Sequence, residues 1–177
     1  MSTHLSPADL PQPVIARCAT AGDRRPLERL WLIFRHEMSI YTRALPNPDG
    51  TYRSERLLLG LSDPSWRAWM LTADDRPIGF TLVRALDQPV HVLTSFFIVA
   101  PARRRGLGLQ FARATIEARP GTWTVAYQDA NTAAAQFWPK LAAGFDSDWT
   151  LEHRPAPTRP DLPPDAWVTF THSSNPD

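Results

Sequence analysis

The chain has 177 residues, the size of one domain, and its 43% hydrophobic content suits a globular protein better than a disordered one. Its 19 basic and 18 acidic residues nearly cancel, so the basic excess typical of nucleic-acid-binding proteins is missing. Cys18 is the only cysteine, which excludes an intrachain disulfide and favours a reducing compartment. Neither a signal-peptide pattern nor a membrane-length apolar run is found. We therefore expect a soluble, cytoplasmic protein that binds neither nucleic acid nor membrane.

The N-terminal part predicts a flexible tail, a strand and two helices. Residues 1–13 hold three prolines and few large apolar side chains, so we expect a tail there and one domain over 14–173. A short strand is expected over 14–19, and Pro26 suits the first turn of a helix that ends before 46–50. That helix has one apolar stripe, formed by Leu27, Leu30, Trp31, Phe34, Met38 and Tyr41. A second, shorter helix is expected around 54–61.

The rest of the chain alternates strands and helices and contains no internal repeat. A hairpin is predicted from strands at 66–72 and 78–83, and residues 91–99 are apolar on both faces, as in a central buried strand. The remaining elements are a helix at 107–118, a strand at 122–127, a helix at 134–142, and strands at 149–153 and 167–172 around a proline-rich connector at 155–164. This order, β-α-α-β-β-β-α-β-α-β-β, predicts an α/β domain with helices packed on a mixed sheet.

The most informative segment joins the central strand to the next helix. It reads Arg103-Arg104-Arg105-Gly106-Leu107-Gly108. The first N–H groups of a helix have no partner within the helix, and the helix dipole is positive there. Two glycines allow an anion to approach this backbone, and arginines add positive charge. The segment therefore predicts a phosphate site.

Two common phosphate-binding motifs do not fit this loop. A P-loop requires Lys followed by Ser or Thr after its last glycine, but Leu109 and Gln110 stand there. The dinucleotide fingerprint requires a third glycine where Phe111 stands. A basic turn that only caps a helix is the remaining structural alternative.

A second segment, residues 131–145, supports a family resemblance. It carries Asn131, Ala134, Phe137-Trp138 and Gly144-Phe145 in a pattern similar to Asn-x-x-Ala-x-x-Phe-Tyr-x-x-x-Gly-Phe. Together with the loop, which follows Arg/Gln-x-x-Gly-x-Gly/Ala, this pattern resembles the GNAT acetyltransferase family over about residues 66–145. The Phe96-Phe97 pair before the loop is most similar to the bacterial "predicted acetyltransferase" branch. The resemblance implies a central, mostly antiparallel sheet flanked by helices.

The resemblance also implies the donor and its site. The donor would be acetyl-CoA or another acyl-CoA, used as co-substrate, with its pantetheine arm between strands that diverge near Val99 and Tyr127. An acyl group would pass to an amine by direct attack through a tetrahedral intermediate. Donor-binding residues carried over from the family pattern are Phe97, Ile98, Val99, Arg103, Arg104, Arg105, Gly106, Leu107, Gly108, Leu109, Asn131, Phe137 and Trp138.

The catalytic groups follow less directly from the resemblance. An alkyl amine must lose a proton before it attacks, and the candidates for the base are His36, Glu37, Asp129 and Ser95, the last acting through water. Many relatives in that branch carry glutamate where Ser95 stands. Trp138 replaces the family's tyrosine acid and cannot serve as an acid near neutral pH. Tyr127 or Tyr41 would then protonate the thiolate, or the thiolate would leave unaided. The histidines show no metal-ligand spacing, so no metal is expected.

Two alternatives to a CoA-dependent enzyme stay open. An acyl carrier protein presents the same pantetheine arm and could dock on residues 103–105. A sensor that binds acyl-CoA without turnover would explain Trp138 and Ser95.

The acceptor is expected to be a small amine, bound by aromatic residues of the first two helices and the hairpin, namely Trp31, Phe34, His36, Tyr41, Trp66 and Trp69. The late strands and the connector could support a homodimer.

Overall fold

A computed structural model describes residues 10–156 and 159–173. Its elements are β1 (Val14–Cys18), α1 (Arg24–Thr42), α2 (Glu55–Ser62), β2 (Arg67–Ala73), β3 (Arg76–Arg84), β4 (Val90–Ile98), α3 (Leu107–Glu117), β5 (Gly121–Tyr127), α4 (Thr132–Ala143), β6 (Thr150–Arg154) and β7 (Asp165–His172). The order of strands and helices is the one predicted from the sequence. The α/β fold class is therefore confirmed.

The strands form one sheet in the order β1-β2-β3-β4-β5-β7-β6. Every neighbouring pair is antiparallel except β4 and β5, which are parallel. A parallel pair requires a crossover, and α3 supplies it between the two strands. The predicted mixed, mostly antiparallel sheet is confirmed.

Helices cover both faces of this sheet. The stripe of α1 and Leu57 of α2 pack on the face that carries Phe80, Leu82 and Phe97. α3 and α4 pack on the opposite face, against a core that includes Trp123 and Val168. Side chains alternate along a strand, so each strand contributes to both cores. We call the first of these surfaces the α1 face.

The central strands separate halfway along their length. β4 and β5 pair only from Val90 to Leu93 and from Thr122 to Val125. At the same level the β3–β4 register shifts, and Thr94 is the extra residue in β4. An extra residue bends a strand and increases its twist, which accounts for the divergence of β4 from β5. The predicted separation of these two strands is thus confirmed.

The N-terminal boundary of the domain lies before residue 13. Leu10 packs beside the core near Ala73, and the Pro13 carbonyl accepts a hydrogen bond from the Asp74 N–H at 3.0 Å. Residues 10–13 of the predicted tail thus contact the body of the fold, and residues 1–9 lie outside the described part. Within the described residues no helix is long and apolar enough to cross a membrane, and no cluster of metal-ligating side chains is found.

Candidate active site

A cavity of about 680 Å³ opens where β4 and β5 diverge, a size within the usual range for ligand sites. Its walls come from α1, the separated halves of β4 and β5, α4, and the loop of residues 103–108, which we call the arginine loop. Its lining includes Phe34, Glu37, Tyr41, Ser95, Phe96, Phe97, Ile98, Arg103, Arg104, Gly108, Tyr127, Gln128, Asn131, Phe137 and Trp138. The cavity therefore brings together most of the residues predicted to bind the donor.

The backbone of β4 presents alternate residues to this cavity. The Val99 N–H donates to the Ile78 carbonyl of the β3 side at 2.9 Å. Backbone groups of neighbouring residues point to opposite edges of a strand, so Phe97 also faces β3, while Phe96 and Ile98 face the opening. The backbone groups of Phe97 and Val99, two of the residues predicted to bind the donor, thus face β3, whereas those of Phe96 and Ile98 are open to the cavity. Val99 does not line the cavity.

The arginine loop has the backbone expected of an anion site. Gly106 has a φ of 76° and Arg104 a φ of 60°, both in the left-handed region. Gly106 is the N-cap of α3, and no side chain caps the helix. The N–H groups of the first turn, from Leu107 to Leu109, thus remain available to a ligand.

Gly108 lies where the loop meets the cavity. A Cβ at this position would lie 3.6 Å from the Phe137 ring and 3.8 Å from Ile98 Cδ1, an ordinary contact. A methyl group would therefore fit, but a larger side chain would enter the cavity. Arg105, Gly106, Leu107 and Leu109 lie beside the cavity wall rather than in it.

The side chain of Arg103 contacts both β4 and α1. Its Nε donates to the Ile98 carbonyl at 2.6 Å, and its Nη2 donates to both Glu37 oxygens at 2.9 and 2.7 Å. The guanidinium also lies 5.4 Å from the centre of the Phe97 ring. Arg103 thus joins the loop to α1 across the end of β4. Both Glu37 oxygens accept hydrogen bonds from Arg103, so Glu37 is part of an ion pair in this structure.

The N-terminal half of α4 forms the opposite wall. Asn131 is the N-cap of this helix, and its Oδ1 accepts from the Ala134 N–H at 3.2 Å. Phe137 stacks on Phe96 with ring centres 5.7 Å apart. The Trp138 ring packs edge-on against both of these phenyl rings. These aromatic groups contribute to the core and to the cavity surface at once.

Ser95 is a buried polar side chain of the cavity whose hydroxyl lacks a hydrogen-bond partner among the described residues. It is 4% exposed, and its Oγ makes no hydrogen bond to any described residue. A buried hydroxyl without a partner costs free energy, so such a group in a cavity marks a place for a ligand or water. Ser95 therefore stays a candidate for the proton path.

The other acid–base candidates divide clearly. His36 is exposed and does not line the cavity, because it lies about 200° around α1 from the inward-facing Phe34. Tyr127 is 5% exposed and lines the cavity. Burial, and then repulsion from Asp129, raises the pKa of its phenol, which therefore keeps its proton at neutral pH. Asp129 itself pairs with His153 at 2.8 Å outside the cavity wall.

The predicted aromatic acceptor pocket is only partly present. Phe34 and Tyr41 line the cavity, but Trp66 and Trp69 do not. Trp31 is 2% exposed, and its Nε1 donates to the Arg53 carbonyl at 2.9 Å, so it is a core residue. Two features were not predicted at all. They are the bulge at Thr94 and the contact of Arg103 with Glu37, neither of which has a local sequence signal.

Comparison with known proteins gives the family. Residues 30–145, more than half of the chain, match the Acetyltransferase (GNAT) family. No curated protein matches the chain.

Solved structures show the same fold at low sequence identity. An acetyltransferase from Thermus thermophilus has a TM-score of 0.63 at 17% identity, covering 92% of this chain and 99% of its own. The diaminobutyrate acetyltransferase of Paenibacillus lautus, solved with L-2,4-diaminobutyric acid and coenzyme A, has 0.65 at 17%, covering 93% and 99%. The spermidine N-acetyltransferase of Vibrio cholerae, solved with CoA and spermine, has 0.64 at 12%, covering 90% and 95%.

The family match covers α1 from Leu30, the arginine loop and α4, which are the segments that build the cavity. The chain therefore belongs to the GNAT acetyltransferase family and is an acyltransferase of that type.

Proposed function

We propose that the protein transfers an acetyl group from acetyl-CoA to an amine of a small molecule. The observation that carries this proposal is the continuity between the free edge of β4 and the uncapped start of α3. The family match supports acyl transfer as the reaction class. The cytoplasm stays the predicted location.

The donor occupies the cavity along this continuous surface. Its diphosphate accepts hydrogen bonds from the N–H groups of residues 107–109, where the helix dipole favours negative charge. Its pantetheine amides pair with Phe96 and Ile98, as an added strand would. Arg103 already donates to the Ile98 carbonyl, so the arm uses the remaining backbone groups of that edge or displaces the arginine.

The acceptor attacks from the α1 face, where Ser95 lies. A water held by the Ser95 hydroxyl takes the ammonium proton, and the free amine adds to the thioester carbonyl. A C–N bond forms while the carbonyl electrons move to oxygen, and an N–H of the β4 edge stabilises that oxyanion. Collapse of the intermediate restores the carbonyl and breaks the C–S bond, and the nitrogen, which is positively charged after the attack, releases its extra proton to water.

Tyr127 supplies the proton that the leaving thiolate takes. Its raised pKa keeps the phenol protonated at neutral pH. It also lies in the cavity wall, whereas the indole of Trp138 can only donate a hydrogen bond. Tyr41, which lines the α1 side of the cavity, is the second candidate for this proton.

The test combines donor binding with product analysis. Purified protein is titrated calorimetrically with acetyl-CoA and then incubated with acetyl-CoA and an amine panel, and the N-acetyl products are identified by mass spectrometry. Saturable binding with product formation would support the proposal, and an absence of donor binding would contradict it. Binding without turnover would favour the sensor alternative. Turnover only with an acetylated acyl carrier protein would transfer the donor role to that protein.

A further inference from the structure

A second group of arginines lies away from the arginine loop, around the α1–α2 junction. Trp31 holds the start of this junction against α1 through the Arg53 carbonyl. Around Arg56 the charged neighbours are Arg53, Arg84, Glu55 and Asp165, and Arg35 of α1 lies within electrostatic range of Arg56. We call Arg35, Arg56 and Arg84 the arginine groove.

The guanidinium groups of this groove form no hydrogen bond or ion pair with the described residues. The Nε of Arg35 is buried and makes no hydrogen bond to any described residue, and its guanidinium lies 5.7 Å from the Trp31 ring centre. Within residues 10–156 and 159–173, neither Arg56 nor Arg84 forms a hydrogen bond or an ion pair. Arg56 is exposed to solvent, so the unusual group is the buried Nε of Arg35, a strong donor of the kind that folded proteins normally satisfy.

The nearby carboxylates do not balance these charges. Glu55 already pairs with Arg53 at 3.2 Å, and Asp165 accepts from Gln128 at 2.8 Å. Four arginines thus face two carboxylates. Desolvation, and then repulsion from neighbouring arginines, lowers the pKa values of Arg35 and Arg56. The groove therefore carries an excess of positive charge.

The sheet residues of this cluster lie on the same face of the sheet as Ser95. Arg84 follows Leu82 by two residues, and Ser95 precedes Phe97 by two, so both lie on the α1 face. Asp165 alternates with the core residue Ala166 and lies on that face too. Its partner Gln128 lines the cavity. The positive groove and the unpartnered Ser95 thus belong to one surface.

We infer that the acceptor is an amine that also carries an anionic group, a carboxylate or a phosphate, which the arginine groove binds while the amine reaches Ser95. This inference rests on the proposed acetyl transfer and defines its substrate class. An anion in the groove satisfies the Arg35 Nε and offsets the charge excess. A polycationic amine would meet repulsion there.

The test uses amines that differ by one anionic group. The pairs are L-lysine and cadaverine, L-ornithine and putrescine, and O-phosphoethanolamine and ethanolamine. We expect the anionic member of at least one pair to have a kcat/KM at least about tenfold higher, the size expected from one charge-assisted hydrogen bond. Arg35→Gln and Arg56→Gln should reduce this preference toward unity. Arg29→Gln, which removes the same charge elsewhere on α1, should leave it unchanged.

Binding is measured without turnover by NMR of arginine labelled with nitrogen-15. The Arg35 Nε–H signal, assigned with Arg35→Lys, should shift saturably with the preferred anionic amine and not with its counterpart that lacks the anionic group. Equal or better use of the decarboxylated or dephosphorylated amines would overturn the inference while leaving acetyl transfer intact. An Arg35 signal that ignores all three anionic amines would overturn it as well. Absence of acetyl-CoA binding would instead refute the proposed function.

Discussion

The two arginine-rich regions of the molecule differ in how they are built. In the loop, three arginines are consecutive in the sequence, and Arg103 is satisfied by Glu37 and the Ile98 carbonyl. In the arginine groove, the residues come from α1, α2 and β3, and their guanidinium groups form no hydrogen bond or ion pair with any described residue.

The two regions would offer an anion different donors, which are backbone N–H groups at the loop and side chains in the groove. At the loop, the proposed anion site consists of helix N–H groups, and Arg103 makes other contacts. In the groove, the guanidinium groups themselves are the donors. Substitutions in the two regions should therefore have different consequences for affinity and for stability.

The largest expected effect comes from closing the loop. Gly108→Trp places an indole in the cavity beside Phe137, so we expect acetyl-CoA affinity to fall by at least about 100-fold, or roughly 2.7 kcal/mol. Gln110→Trp adds the same bulk on an exposed position of the same helix and should bind normally. Calorimetric titration measures both variants. Unchanged affinity in Gly108→Trp would remove the loop from the donor site.

Arg17, which has hydrogen-bond partners, shows how much free energy of unfolding a paired arginine is expected to contribute. Arg17 donates to both oxygens of the buried Asp23 at 2.7 and 2.8 Å, and the same carboxylate accepts from the Thr20 N–H. Asp23→Ala leaves these donors without their acceptor, so we expect a loss of about 2 kcal/mol in the free energy of unfolding. Chemical denaturation measures it. Glu28→Ala, which breaks an exposed pair with Arg24, should cost less than about 0.5 kcal/mol.

The same pair predicts a pH dependence. Hydrogen bonding to Arg17 lowers the pKa of Asp23 well below its ordinary value, despite burial. A lowered folded-state pKa contributes stability that is fully present above the unfolded-state pKa, near 4, and is lost as the pH falls below it. Denaturation between pH 6 and about 3 should therefore show a steeper loss in the wild type than in Asp23→Asn. Parallel curves would contradict the assignment.

Replacing Ser95 should affect activity rather than stability, the opposite of the effect expected for Asp23→Ala. Ser95→Ala removes a buried hydroxyl that has no partner, so the free energy of unfolding should stay equal or rise. Turnover should fall by about tenfold, because the water that carries the amine proton loses a hydrogen bond. Denaturation and steady-state kinetics measure the two effects. A destabilised variant with normal kcat would show that Ser95 has only a structural role.

The smallest effect is expected in the groove. Arg56→Gln removes an exposed charge that neighbouring arginines repel, so stability should rise by no more than about 0.5 kcal/mol. A loss above about 1 kcal/mol, measured by denaturation, would mean that Arg56 stabilises the fold. The contrast with Asp23→Ala then separates groups retained for function from groups retained for stability.

The features that the sequence predicted are local ones. Strand and helix order follows from apolar periodicity, and the loop follows from glycines next to a helix start. Helical periodicity could also have placed His36 outside the cavity, since the inward stripe through Phe34, Met38 and Tyr41 runs on another side of α1.

The remaining features depend on contacts between distant segments. Glu37 and Arg103 are 66 residues apart, and the arginine groove joins three separate elements. Which backbone groups of β4 face the cavity is fixed by its register with β3, because the Val99 N–H is used there. Such pairings need the folded chain.

The most direct test follows backbone amide signals while CoA is added to protein labelled with nitrogen-15. We expect saturable shifts at Phe96 and Ile98 of β4 and at residues 107–109 of α3. Shifts confined to other surfaces, such as the one around Arg25 and Arg29, or an absence of saturable shifts at millimolar CoA, would contradict the account.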